Sequence, residues 1–476
     1  MVEFTAITPL WRTLSKLRKP GIVIIVTLIL FAFVTEHLQA VNWNWNWDWT
    51  WALSSQESAS ASDSPGSFFR LQKSDLRELQ RCLSPNSENQ CPSYFAWIEN
   101  DLAPWKETGI SQQNLQDARS KADFRVVIVN GTLYMERYNK CFETRDDFTL
   151  WGLLMLLKEY PGMVPDVDLM FNCGDWPLVF RAEHQPEKNG SWPPPPLFLY
   201  CTSRRDHYDI VFPDWSYWGW PEVNILPWSL EKGKIFSGAE KLDWSHRQPI
   251  AFWKGNYDMG PARADLVKCT ANNTHNYNLV TYHQDWFAER EHNFNNSDLS
   301  KQCQHRYKIY VQGGGWSVSF KYILACGSTV LQIEPMFQEF FARSLIPFVH
   351  FWPVDRDNIC NSTKFAVDWG NAHPKEAAAI GECAKSFLDK ELSMDFVYQY
   401  MLHLLREYGK LLKFKPVPPP EAQRMTLESS LPGHELTLPR TVPRPRKVCT
   451  LANNISADMM LSKQREGYKR IKLQAT

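Results

Sequence analysis

The chain has 476 residues, enough for two or more domains. Lys plus Arg and Asp plus Glu both number 52, so the formal charge is zero. That balance excludes the basic excess of a nucleic-acid binder. The 21 Trp and 27 Phe crowd into proline-rich stretches, a composition that suits a weakly polar surface such as a sugar as well as an ordinary core.

In chain order, Arg12, Lys16, Arg18 and Lys19 precede an uncharged apolar run over residues 21–35. The basic residues lie before the run, so the positive-inside rule predicts a cytosolic tail over 1–19 and a single-pass type II transmembrane anchor over 20–40, with the body lumenal. A cleaved signal peptide is the alternative, but no clean A-x-A site follows the run. The absence of a KDEL-type ending points to the Golgi over the ER. Residues 41–74, Trp-rich and then Ser-rich, read as a stem with order beginning near 74. Six N-x-S/T sequons, at Asn130, Asn189, Asn272, Asn295, Asn361 and Asn454, fit a lumenal body. So do eleven cysteines without C-x-x-C spacing. Candidate local disulfides are Cys82 with Cys91, Cys269 with Cys303, and Cys360 with Cys383, with at least one cysteine left over.

Helical pattern is expected over 95–102, 114–121 and 145–160. Strand pattern is expected over 125–134 (a pair), 166–173 and 208–212. A second half begins near 248, with strands at 250–253, 307–311, 331–333 and 348–351 and a helix over 386–413. Residues 416–476 turn proline-rich and basic, and read as a poorly ordered tail. Alternating strands and helices predict α/β layers. The expected architecture is two Rossmann-like domains facing a cleft, over 75–240 and 241–415.

Residues 307–335 carry the densest signal: strand, Gly313-Gly314-Gly315, helix, strand. Glycines there free the backbone to turn and leave its amides uncovered, and Ser317 or Ser319 is placed to cap the helix. A helix N-terminus beyond a glycine loop attracts an anion, most simply a nucleotide diphosphate, and Lys321 would add a cation. The spacing is neither Walker A nor the dinucleotide fingerprint. A turn that needs glycine only for close packing is the alternative.

Asp175 follows an apolar strand at a glycine turn. Beyond the carboxyl end of a strand a carboxylate can take a proton from an incoming hydroxyl, or simply cap the turn. Asp166 and Asp168 form a D-x-D that shares one strand face and could hold a divalent cation, although the pair precedes the apolar run. Lys254-Gly255-Asn256 and Arg263 form a polar set suited to phosphate oxygens. The other reading of Arg263 is an ion pair with Asp265 or Glu289. The loop over 215–228, with Trp215, Tyr217, Trp218, Trp220 and Trp228, is a candidate acceptor groove or a packed loop.

The stretches DVDLMFNCGDWP, CTSRRDHYDIVFPDWSYWGWPEVN, AFWKGNYDMGPARADLVKC and YKIYVQGGGWSVSFKYILACGS occur in one order. Together they resemble the Rumi-type protein O-glucosyltransferases of glycosyltransferase family 90, which also includes fungal capsule-associated xylosyltransferases. The resemblance runs from about residue 91 to 408, and the chain looks like a plant-like member. It implies a GT-B fold, a UDP-sugar donor and inverting transfer with no catalytic metal and no cofactor. It implies that Asp175 is the catalytic base. It further implies that Asn256, Arg263, Trp316, Ser317, Val318, Ser319, Phe320 and Lys321 bind the donor and that Asn224, Pro227 and Trp228 meet the acceptor. The expected donor is UDP-glucose or UDP-xylose, and the expected acceptor is a protein or a cell-wall glycan. Two other readings remain open at this level: a catalytically inactive lectin-like or scaffold protein, and a metal-dependent glycosyltransferase using Asp166 and Asp168.

Overall fold

The computed structural model describes residues 69–83, 90–186, 192–203, 205–271, 276–429, 447–451 and 455–474. In chain order its strands are β1 (Phe124–Val129), β2 (Thr132–Arg137), β3 (Val167–Phe171), β4 (Leu197–Leu199), β5 (Ile210–Val211) and β6 (Gln248–Gly255). They continue as β7 (Leu279–His283), β8 (His305–Tyr310), β9 (Thr329–Ile333), β10 (Trp352–Val354) and β11 (Gln423–Met425).

One sheet has the order β11-β2-β1-β3-β4-β5. Its β1–β2 hairpin turns at Asn130 (φ 50°) and Gly131 (φ 70°), the left-handed pair that an Asn-Gly sequence supplies. β3 is antiparallel to β1, with Phe124 opposite Phe171, and parallel to β4. This half is therefore mixed rather than purely Rossmann-like. β3 is buried at every position, as its apolar run dictates. The helix Arg145–Glu159 supplies a further buried face through Phe148, Leu150, Leu153 and Leu156.

The second sheet, β10-β9-β8-β6-β7, is parallel throughout. The chain leaves β6 to form β7 on one side, then crosses to form β8 on the other. The order therefore reverses between β6 and β8, and in open α/β sheets ligands gather outside the carboxyl ends of the strands at that reversal. Asn256 follows β6 and Gly313 follows β8, so both stand at the switch point.

Several expectations are corrected. Order begins before residue 74: Phe69 is buried against Phe348, Trp352 and Trp369. The helix Lys73–Leu83 is held to the second half by the Cys82–Cys383 disulfide, so 75–240 is not one contiguous domain. The tail is not structureless. β11 pairs with β2, Cys449 is bonded to Cys91, and the helix Ala457–Lys472 docks through Gln464, which donates to the carbonyls of Ala342 and Leu345. The helix expected over 386–413 is two helices, Pro374–Lys390 and Met394–Leu411, with Ser393 capping the second by accepting from the Phe396 amide.

The three local disulfides are also corrected. The pairs are Cys82 with Cys383, Cys91 with Cys449, Cys141 with Cys173, Cys269 with Cys360 and Cys303 with Cys326; Cys201 is the free, buried thiol among the described residues. Bridges of such span tie elements that only the tertiary fold brings together. The single-pass anchor and its Golgi or ER membrane placement are corrected as well. Among the described residues no helix is long and apolar enough to cross a membrane. The expected tail, span and most of the stem lie outside the described residues.

Candidate active site

A cleft of about 820 Å³ opens beside the switch point and is lined from both sheets. From the first come Asn172, Gly174, Asp175 and Trp176, and from the second Gly255, Asn256, Arg263, Gly313, Gly314 and Trp316.

Asp175 lies just past β3. The Gly174 amide donates to Asn172 Oδ1 at 2.8 Å, which closes the turn that carries it. Arg145 Nη1 donates to Asp175 Oδ1 at 2.8 Å and to the Cys173 carbonyl at 2.9 Å. The Arg145 guanidinium is buried and stacks 4.2 Å from the Trp215 ring centroid. Asp175 itself is about one-third exposed, so an incoming hydroxyl can reach it. Arg145 is a site residue that sequence reasoning missed. The one signal was its place: Cys141 precedes it and Cys173 precedes Asp175, and the disulfide between those cysteines brackets both.

Arg263 sits in the first turn of the helix Pro261–Ala271. Its guanidinium donates to the carbonyls of Gln312 (3.1 Å) and Asn256 (3.0 Å) and to Ser317 Oγ (3.4 Å). Neither expected carboxylate pairs with it: Asp265 bonds Lys268 and Glu289 bonds Lys254. Partial burial pushes Arg263 down to about 10, and among the described residues its cation is hydrogen-bonded at the cleft wall only to neutral oxygens. Such a group gains most from an anion.

The glycine loop fits the close-packing alternative. A Cβ on Gly315 would lie 1.7 Å from the Asp175 carbonyl oxygen, and one on Gly314 would lie 2.8 Å from the Trp176 ring. The loop is glycine so that the two halves can touch. Gly260, at φ 148°, makes similar room for the Gly313 carbonyl, 3.0 Å from where its Cβ would be.

Of the expected donor residues, Asn256, Arg263, Trp316, Ser317, Val318 and Ser319 line the cleft. Phe320 and Lys321 do not; both are fully buried. Phe320 stacks on Tyr310 with ring centroids 4.0 Å apart. Lys321 donates to Ser216 Oγ at 2.7 Å, stands 3.7 Å from Asp214 and lies over the rings of Tyr217 and Tyr322. It is an interior ion pair, not a phosphate contact. The helix Phe320–Ala325 has one and a half turns, and Ser319 makes no side-chain cap bond.

Of the expected acceptor residues, Asn224 is exposed on the cleft, at φ 56°, and donates to the Asn293 carbonyl. Pro227 and Trp228 are buried, and Trp228 Nε1 donates to the Leu392 carbonyl. Trp228 is core. Trp215 and Trp220 of the same loop do reach the cleft.

The D-x-D pair is spent elsewhere. Asp168 is fully buried in a two-bond contact with Arg125, and Asp166 accepts from the Asn130 amide. Neither lines the cleft, which removes the metal-dependent reading built on them.

The family model described as glycosyl transferase family 90 matches residues 86–474, and the chain belongs to that family. The O-glucosyltransferase rumi of Drosophila pseudoobscura pseudoobscura is 26% identical over 363 residues, covering 74% of this chain and 85% of that protein. Protein O-glucosyltransferase 1 of Homo sapiens is 27% identical over 364 residues, covering 73% and 88%. The Bos taurus protein of that name is 26% identical over 354 residues, covering 71% and 84%.

Proposed function

We propose that this protein is an inverting glycosyltransferase of GT-B type that moves glucose from UDP-glucose to a hydroxyl of a protein. Asp175 takes the proton of the acceptor hydroxyl. The acceptor oxygen bonds to the sugar's anomeric carbon as the bond from that carbon to the diphosphate oxygen breaks, and UDP leaves. Arg263 and the polar rim of Asn256, Ser317 and Ser319 receive the diphosphate charge as it develops. Arg145 holds one oxygen of Asp175 and leaves the other for the proton.

The single observation that carries this reading is the meeting of Asp175 and Arg263 on one cleft: a carboxylate able to accept a proton, and a half-buried cation with no acidic partner among the described residues. Glucose and a protein acceptor are preferred over xylose and a cell-wall glycan because the relatives carry the former in their names. In this reading Arg263 supplies positive charge where a metal otherwise would.

The test is a donor screen of the purified protein with UDP-glucose, UDP-xylose and UDP-galactose, scored as UDP release and sugar transfer. Wild type is expected to release UDP from UDP-glucose. Asp175→Asn is expected to bind UDP normally and to lose transfer by about 10²–10⁴-fold. Transfer by Asp175→Asn at the wild-type rate would remove the base assignment, and no UDP release from any donor would favour an inactive scaffold.

A further inference from the structure

Five residues, 141–145, organise one wall of the cleft. Cys141 is bonded to Cys173 at the end of β3, and Arg145 holds Asp175. Between them Glu143 lines the cleft at φ 58°. That is a left-handed conformation, which glycine, asparagine or aspartate adopts with less strain than glutamate. Burial also raises the Glu143 carboxyl, with only partial offset from its hydrogen bond and from Arg145 and Arg290. The position therefore carries a strained backbone and a disfavoured charge that glycine or asparagine would relieve. Both costs point to a role for the side chain.

Among the described residues the side chain has one hydrogen-bond partner on the wall. Glu143 Oε2 accepts from Trp220 Nε1 at 2.6 Å. The Trp220 backbone is already fixed by reciprocal bonds with Ile225 (2.9 and 3.0 Å), so this bond sets its indole. The indole meets the Trp215 ring edge-on at 5.4 Å, and Trp215 lies under the Arg145 guanidinium. A continuous path of contacts runs from Glu143 through Trp220, Trp215 and Arg145 to Asp175. Phe142 and Phe287, 64% and 82% exposed, line the same cleft. Large exposed apolar side chains gathered on one concave surface mark a place where apolar matter binds.

We propose that Glu143 is a positioning residue for acceptor selection: it locks the Trp220 indole as a fixed apolar wall of the cleft that holds Asp175, so that the site prefers a hydroxyl flanked by an apolar or aromatic group. This rests on the transferase reading above.

The experiment offers benzyl alcohol and methanol as competing acceptors with UDP-glucose and reads the ratio of the two glucosides. A general loss of activity cancels in that ratio. Wild type is expected to favour benzyl alcohol by about fivefold or more, the scale of one aromatic contact. Glu143→Gln still accepts the indole N–H and keeps the preference. Glu143→Ala and Trp220→Phe each lose it, and the double variant is no worse than the worse single, since both remove one bond. A wild-type ratio near one, a preference retained by Glu143→Ala, or additive losses would overturn the proposal. If Glu143→Ala does not fold, the comparison of Trp220→Phe with Glu143→Gln decides. Absence of UDP release by wild type from any of the three donors would instead sink the transferase reading itself.

Discussion

The carbonyl oxygen of Asp175 fills the space that a side chain on Gly315 would occupy, 1.7 Å from an ideal Cβ. The proposed base and the glycine loop are thus packed backbone against backbone. Gly315→Ala must displace one of the two, and neither contact is the free end of a flexible chain. A shift of about 1 Å at the base is expected to cost about 100-fold in kcat, with a lower melting temperature. Gly314→Ala meets only the half-exposed Trp176 ring, which can turn away, and is expected to be far milder. Steady-state kinetics and thermal melts of the two variants separate these outcomes.

Arg263 and Lys321 were both expected to meet the donor, yet they are opposite in kind. Arg263→Gln is expected to weaken UDP binding by about 10- to 100-fold, the scale of a charge-assisted contact, as read by calorimetry. Lys321→Met leaves Asp214 buried without its cation. It is expected to destabilise the fold by about 3 kcal/mol or more while leaving UDP affinity in the surviving folded protein unchanged.

Asp168 and Arg125 form a buried pair, with side chains 1% and 17% exposed. Asp168→Asn is expected to cost about 3 kcal/mol of stability, seen as a lower urea midpoint. Transfer by wild type is expected to persist in EDTA. Loss of transfer in EDTA, restored by a divalent cation, would contradict this assignment.

Glu159 ends the helix Arg145–Glu159, where burial first, and then the negative charge of Asp395, raise it from 4.5 to about 7. Between those values the folded protein binds a proton that the unfolded chain has released. Stability therefore falls as pH rises from about 4.5 through 7, and levels off above. Glu159→Gln removes this slope and is expected to be more stable than wild type at pH 8 by about 3 kcal/mol, with little difference at pH 4.5. Urea titrations at the two pH values measure it.

Much of the scaffold was legible because local chemistry and global fold agree. The Asn-Gly turn, the apolar run of β3 and the strand–glycine–helix unit after β8 are each dictated within a few residues. Where long-range packing decides, the pattern misleads. The expected strand over 348–351 is β10 at Trp352–Val354, and Pro353 is tolerated there because β10 is an edge. Lys321 looked like a phosphate ligand because its partners, Ser216 and Asp214, lie about a hundred residues away. Trp228 looked like groove lining for the same reason, since its core partner is Leu392. Arg145 and Glu143 carried no motif; a helix start rich in charge reads as a solvated face until the Cys141–Cys173 bond brings it beneath Asp175.

β11 covers the outer edge of β2 and comes from residues 423–425, nearly three hundred positions after that edge is synthesised. The N-terminal Cys91 likewise waits for Cys449. On the ribosome the first sheet can assemble five of its six strands early, but its free edge stays open to other chains until residues 423–425 have emerged. Emergence of residues 423–449, rather than completion of the first half, is then the moment at which this sheet closes.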